Sequence, residues 1–208
     1  MNTIILYSLI LLFLPLAAFA INILVGKRLP RKGDWVSLSA ILISFSFSLS
    51  MFAYMLFIRY DPDFSVEWRW LWIDLGDFTI ELGILVDNLT IMMLLVVTLV
   101  SSLIHIYSIS YMKDDPRYNR YFAYLSLFSF SMLIIVLSNN LFGLYIGWEL
   151  VGISSYLLIG FWFEKDSASD AGKKAFITNR VGISGFSSVF CSSSLPSARL
   201  ITAISLPG

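Results

Sequence analysis

The chain has 208 residues, of which 58% are hydrophobic, 16% aromatic and only 13% charged, and its mean hydropathy is +0.80. No soluble domain needs so much apolar surface, so the composition predicts an integral membrane protein. Fourteen basic residues balance fourteen acidic ones, which gives no reason to expect nucleic-acid binding, and the single cysteine, Cys191, excludes an internal disulfide.

The charge-free runs place the helices in chain order. The first run passes through an Ala-Ala-Phe-Ala that imitates a signal-peptidase site. No positive segment precedes it and it continues to Val25, so 4–25 is expected as a membrane span and not a cleaved leader. A second span is expected over 35–58. A third covers 85–107, with Asp87 at its mouth and the chain's only histidine, His105, near its other end. The run 121–163 is long enough to cross a bilayer twice, and Ser138-Asn139-Asn140 divides it into spans four (121–137) and five (141–163). A sixth apolar stretch begins near Ala175 and dissolves into Ser-rich sequence after Phe186. The expected fold class is therefore all-α, a bundle of five to six transmembrane helices. Its divisions are 1–58 (helices one and two), 59–83 (external loop), 84–163 (helices three to five), 164–182 (cytoplasmic loop and start of helix six) and 183–208 (divergent tail).

Loop charges orient these spans, because short cytoplasmic loops hold an excess of Lys and Arg. Lys27, Arg28, Arg31 and Lys32 crowd the first loop, and Lys113, Arg117 and Arg120 the third. The second loop instead carries Asp61, Asp63, Glu67, Asp74, Asp77 and Glu81 against Arg59 and Arg69. The N-terminus is therefore expected on the external side, and the loop bearing Lys165, Lys173 and Lys174 on the cytoplasmic side. Within the acidic loop, Trp68, Trp70 and Trp72 alternate on one face, and Leu75-Gly76-Asp77 can turn the chain into 78–82. A small external β-hairpin follows, its indoles seated at the membrane–water boundary.

Glu149 is the only charged residue between 121 and 163, near the middle of span five. An ionisable group at that depth is costly, so it ordinarily faces a bundle interior or a wet cavity and marks an ion or proton path. Gly143 and Gly147 are one turn apart, a spacing that admits close approach of a neighbouring backbone. Gly152 and Tyr156 follow Glu149 at i+3 and i+7, so the carboxylate is expected to share its face with a gap and a hydroxyl able to hold water. The bland alternative is a glutamate that hydrogen-bonds a neighbouring helix. Asp87 at a helix start reads equally as a cap, His105 as a hydrogen-bonded interface residue, and Lys173 and Lys174 as snorkelling anchors. Arg180, several residues further into helix six, needs a partner or water.

A set of motifs in fixed order carries a resemblance: Val86-Asp87-Asn88-Leu89-Thr90; Leu103-Ile104-His105-Ile106-Tyr107-Ser108 with Tyr111-Met112; Arg120-Tyr121-Phe122-Ala123-Tyr124-Leu125; Trp148-Glu149 followed by Ser155-Tyr156-Leu157-Leu158-Ile159-Gly160; Lys174-Ala175-Phe176; and Asn179-Arg180-Val181-Gly182. From about residue 4 to 182 the chain resembles the N-terminal part of the antiporter-like membrane subunit L, or chain 5, of proton-pumping NADH:quinone oxidoreductase, respiratory complex I. The resemblance implies that Glu149 belongs to proton-transfer machinery and that Asp87, His105, Arg180 and Lys174 occupy functional or structurally important polar positions. It implies coupling of quinone reduction to proton transfer through buried Glu and Lys side chains. Its partners would be the other membrane subunits of the complex and the lipid bilayer, in a bacterial plasma membrane or the mitochondrial inner membrane.

NADH, FMN, iron–sulfur clusters and quinone would belong to the implied complex. No cofactor or metal is expected in this chain, which has no Gly-rich dinucleotide fingerprint, no Cys cluster and no haem-spaced His pair. Subunits of multi-component Na⁺/H⁺ antiporters and of membrane-bound hydrogenases share the Trp-Glu span. The Asn179-Arg180 motif and the long match in spans three and four favour the respiratory complex, and a purely structural membrane anchor is the third reading.

The resemblance breaks after Gly182. The family pattern continues Gly-Asp-Phe-Gly-Phe, where the acid would pair with Arg180, while this chain reads Gly182-Ile183-Ser184-Gly185-Phe186. Loss of one nucleotide converts codons for the first pattern into codons for the second, so the residues after Gly182 are expected to be translated out of frame. The family's central lysines, which the resemblance pairs with Glu149, would lie further on, and the chain alone is expected not to pump.

Overall fold

The computed structural model describes residues 3–58, 61–74 and 79–204. Helix α1 (Thr3–Val25) leads through two short 3₁₀ turns into α2 (Asp34–Phe57), and a two-stranded antiparallel sheet, β1 (Ser65–Asp74) with β2 (Thr79–Asp87), precedes α3 (Asn88–Tyr111). Then come α4 (Tyr118–Leu137), α5 (Leu141–Ile159) and α6 (Asp166–Ile204). The first five helices are long and apolar enough to cross a membrane. The chain is thus an all-α integral membrane bundle with a small β-hairpin between α2 and α3.

Polar side chains, more than apolar ones, specify which helix meets which, because lipid is as apolar as leucine and packing must come from close fits and hydrogen bonds. Pro15 lies inside α1, and a proline lacks the N–H that would bond the carbonyl four residues back. That carbonyl belongs to Leu11, and the Ser44 hydroxyl of α2 donates to it at 3.0 Å. Ser48 of α2 and Thr98 of α3 share a hydrogen bond of 2.7 Å, and Ser101 of α3 meets Ser129 of α4 at 2.8 Å. Between α1, α2 and α4, Asn22 donates to Ser37, which also receives a bond from Ser126, while Asn119 donates to the Asn22 carbonyl.

The hairpin plugs one end of this bundle. Ile84 and Val86 of β2 are buried with Leu11, Leu12, Met51, Ile91, Leu94, Leu133 and Leu137 in one apolar cluster. A second cluster of Met112, Tyr118, Phe122 and Phe161 closes the other end. In the sheet Trp68 faces Ile84 and Trp70 faces Leu82, and the register shifts between Leu71 and Ile73. Trp68, Trp70 and Trp72 are all exposed. The turn assigned to Leu75-Gly76-Asp77 lies outside the described residues.

Several boundaries differ from those read off hydropathy: α3 ends at Tyr111, α4 starts at Tyr118 and α5 ends at Ile159, and two further differences have a clear physical reason. Strand β2 runs on to Asp87, so helix three starts at Asn88 and not at Leu85: Ile84 and Val86 bury their side chains as strand, with Leu85 half-buried between them, and the three are as apolar as any span. Helix six begins at Asp166 instead of near Ala175, and its backbone stays helical to Ile204. Its first turns are polar, so hydropathy does not register them, yet Asp166 suits a helix start and Ala168, Ala171, Lys173 and Lys174 are good helix formers.

Candidate functional site

The site is built where α5 and α6 cross. Asn140 starts α5, its side-chain oxygen accepting the Gly143 N–H at 2.7 Å. Gly147 then lets α4 approach: a Cβ there would stand 2.8 Å from Ile135 Cγ1 and 3.2 Å from the Ile135 backbone nitrogen. With one face of α5 against α4, Glu149 is delivered towards α6.

Arg180 answers it. Its Nη1 donates to Glu149 Oε1 at 2.5 Å, and the side chains are 16% (Glu149) and 43% (Arg180) exposed. The guanidinium also stands 4.8 Å over the Phe176 ring one turn earlier, and that ring packs on Tyr156 of α5 at 5.7 Å. The aromatic ring covers one side of the guanidinium, while Glu149 is the more buried partner of the pair. Breaking it from either side would leave one charge in a half-buried position, at a cost of roughly 1–3 kcal/mol after discounting for the exposure of Arg180.

This geometry supplies the partner that Arg180 was expected to need and corrects one expectation. The partner is Glu149, because α6 packs antiparallel to α5 through a short turn and brings residue 180 level with 149. Gly152 does not leave a gap. A Cβ at Gly152 would meet Asn179 Nδ2 at 2.6 Å, so the missing side chain is replaced by the amide of Asn179, and Tyr156 is 40% exposed instead of lining a cavity.

The other predicted residues stand apart from the pair. Asp87 caps α3, accepting the Thr90 N–H at 2.7 Å. His105 is fully buried between α3 and α4; its Nδ1 bonds the Ser101 carbonyl at 2.8 Å, its ring lies 6.2 Å from Phe122, and Nε2 has no partner among the described residues. Since a carbonyl can only accept, Nδ1 carries the proton in this pairing and Nε2 presents its lone pair. Lys174 is exposed on α6, about 1.7 turns before Arg180. No group of three or more His, Cys, Asp or Glu among the described residues is arranged to hold a metal ion.

Sequence reasoning missed a second polar centre. Asp34, whose side chain is 2% exposed, receives Arg31 at 2.8 Å and the Tyr118 hydroxyl at 3.0 Å. The available signal was a lone acid among four basic residues in the first loop. It also read Ser138-Asn139-Asn140 only as a break. Asn139 donates to Glu67 at 2.8 Å and Asn140 to the Glu81 carbonyl at 2.6 Å, so the turn grips the hairpin.

Five apolar helices, a hairpin plug and an acid–guanidinium pair held between α5 and α6 define a polytopic membrane subunit of antiporter-like build. Residues 72–122 match the family described as the N-terminus of chain 5 of NADH-ubiquinone oxidoreductase (complex I), and residues 138–191 match the membrane region shared by NADH:quinone oxidoreductase and Mrp antiporters. The second match runs past Gly182. NAD(P)H-quinone oxidoreductase subunit 5 of the Adiantum capillus-veneris chloroplast is 50% identical over 147 residues, 70% of this chain and 20% of the relative. NADH-quinone oxidoreductase subunit L of Mycobacterium tuberculosis is 42% identical over 180 residues, covering 86% of this chain and 28% of its own length. The subunit L of Neisseria meningitidis is 43% identical over 187 residues, 89% and 27% of the two chains. The chain belongs to the subunit L (chain 5) family of NADH:quinone oxidoreductase, and it spans between 20% and 28% of the length of these relatives. A chain of a membrane-bound sulfane sulfur reductase, an archaeal respiratory membrane complex, has the same fold, with a TM-score of 0.68 at 16% identity over 85% of this chain and 34% of that one.

Proposed function

We propose that this chain forms the N-terminal part of a proton-translocating subunit of NADH:quinone oxidoreductase, with Glu149 as a proton-transfer group. The observation that carries the reading is the Arg180–Glu149 contact at 2.5 Å on an otherwise charge-free span. An acid kept at membrane depth with a cation on a separate helix can release or accept a proton when a competing charge approaches or the two helices part. Arg180 sets the resting charge balance, and lysines of the kind the family uses would be the competitors. Electron transfer from NADH to quinone belongs to other subunits, and energy reaches this one through the membrane assembly. The basic loops face the cytoplasm or matrix and the hairpin faces outward, with the N-terminus external.

The shared description with Mrp antiporters over 138–191 favours Na⁺/H⁺ exchange as a second reading. Both are tested on the assembled complex in vesicles, with proton uptake followed by a pH dye. Glu149→Gln is expected to abolish most uptake driven by NADH oxidation while the electron-transfer rate persists; unchanged uptake would leave only an anchoring role. Uptake that depends on sodium would select the exchange reading. The chain reconstituted alone is expected to pass no uncoupler-sensitive current that Glu149→Gln removes.

A further inference from the structure

The connection between α1 and α2 holds two side-chain-bearing residues in the left-handed region, Arg31 (φ 55°) and Lys32 (φ 57°), followed by Gly33 (φ 82°). L-residues avoid this conformation, and it persists only where the surroundings hold it. Asp34 does the holding. One carboxylate oxygen takes Arg31 at 2.8 Å and the Tyr118 hydroxyl at 3.0 Å, and the other accepts the Trp35 N–H at 2.8 Å. The Lys32 ammonium then stands 6.0 Å over the Tyr118 ring.

This turn forms one wall of a depression of about 640 Å³ whose other walls are the end of α3, with Ile106 and Ile109, and Lys113 just beyond it. Three cations from two separate connections therefore converge, and the one acid lining the depression, Asp34, is already bonded to Arg31. Lys32 and Lys113 have no ion-pair partner among the described residues. Isolated lysines at a membrane boundary are ordinary snorkelling anchors. Here, however, a strained turn directs two basic side chains over a buried carboxylate floor, and a third joins them from another helix pair. Such a pocket between helix ends suits a phosphate ester. From the depression an apolar strip runs into the bundle's side: Ile106 is 50% exposed and Leu103, one turn earlier on α3, is 59% exposed.

We propose that this depression binds the phosphate headgroup of an anionic phospholipid through Arg31, Lys32 and Lys113, with an acyl chain lying along Leu103 and Ile106. The site is independent of the Glu149–Arg180 pair. It is tested on the purified chain in detergent by native mass spectrometry with dioleoylphosphatidylglycerol as the probe, and with dioleoylphosphatidylcholine and inorganic phosphate as competitors. Phosphatidylglycerol is expected to stay bound, and retention should fall about fivefold for each lysine removed in Lys32→Gln and Lys113→Gln. The charge-preserving Lys32→Arg/Lys113→Arg variant should retain it, as should Lys165→Gln/Lys173→Gln, which alters basic residues elsewhere. Equal retention by the double glutamine variant, or equal retention of phosphatidylcholine, overturns the site. Displacement by inorganic phosphate at matched concentration would assign the depression to a soluble phosphate and overturn the lipid reading.

Discussion

Arg180 reaches Glu149 from the neighbouring helix at 2.5 Å, so the one acid of span five is neutralised by a residue 31 positions later in the same chain. The pair joins α6 to α5 as well as balancing charge. Glu149→Gln and Arg180→Gln are each expected to destabilise the bundle by roughly 1–3 kcal/mol, and the double variant by less than the sum. Reversible unfolding in mixed micelles, read by tryptophan fluorescence, gives the coupling directly. Strict additivity would mean that the two side chains do not support one another.

Ser44 and Pro15 should be coupled for a different reason. Ser44→Ala withdraws the hydroxyl that donates to the Leu11 carbonyl and should cost about 1 kcal/mol. In a Pro15→Ala background α1 regains the backbone N–H for that oxygen, so the same serine substitution should cost markedly less. An equal penalty in both backgrounds would sink the explanation.

The hairpin should respond to acid. Arg69, followed by Asn139, holds the Glu67 carboxyl below its ordinary value of 4.5 by hydrogen bonding. A lowered carboxylate contributes stability above its unfolded value, and that contribution is lost as pH falls through the lower folded value. Amide exchange in β1 and β2 should therefore quicken as pH is taken down through this range, after correction for intrinsic rates. Arg69→Gln should shift the onset of that loss to higher pH. An onset that does not move with the substitution would refute the link.

The proposal that the tail is out of frame is decided by nucleotides. Restoring one base near codon 183 is expected to produce the acid that the family pattern has after Gly182, followed by further apolar helices. If the other frame encodes no such helices, the tail is the gene's own sequence.

The five spans were legible because a bilayer demands long charge-free runs, and the chain supplies them. Glu149 was legible for the complementary reason, as the exception within such a run. Its partner was not. Hydropathy records which residues tolerate lipid but not which helix a face meets, so the filling of Gly152's space by Asn179 and the levelling of Arg180 with Glu149 appear only once α6 is packed. Residues 84–86 show the same blind spot, since the apolar end of a hairpin strand packed on the bundle looks like the first turn of a helix. The Asp34 centre escaped because loop charges were read for orientation, and an acid among basic residues was averaged away.

Asn140 both starts α5 and binds the Glu81 carbonyl, while Asn139 binds Glu67. The helix carrying Glu149 is thereby moored at its N-terminal end to the acidic hairpin. Any screw or sliding movement of α5 must drag the hairpin along or unlatch two amides, so a protein seated against the hairpin could feel, or restrain, what happens at the carboxylate nine residues further along the helix.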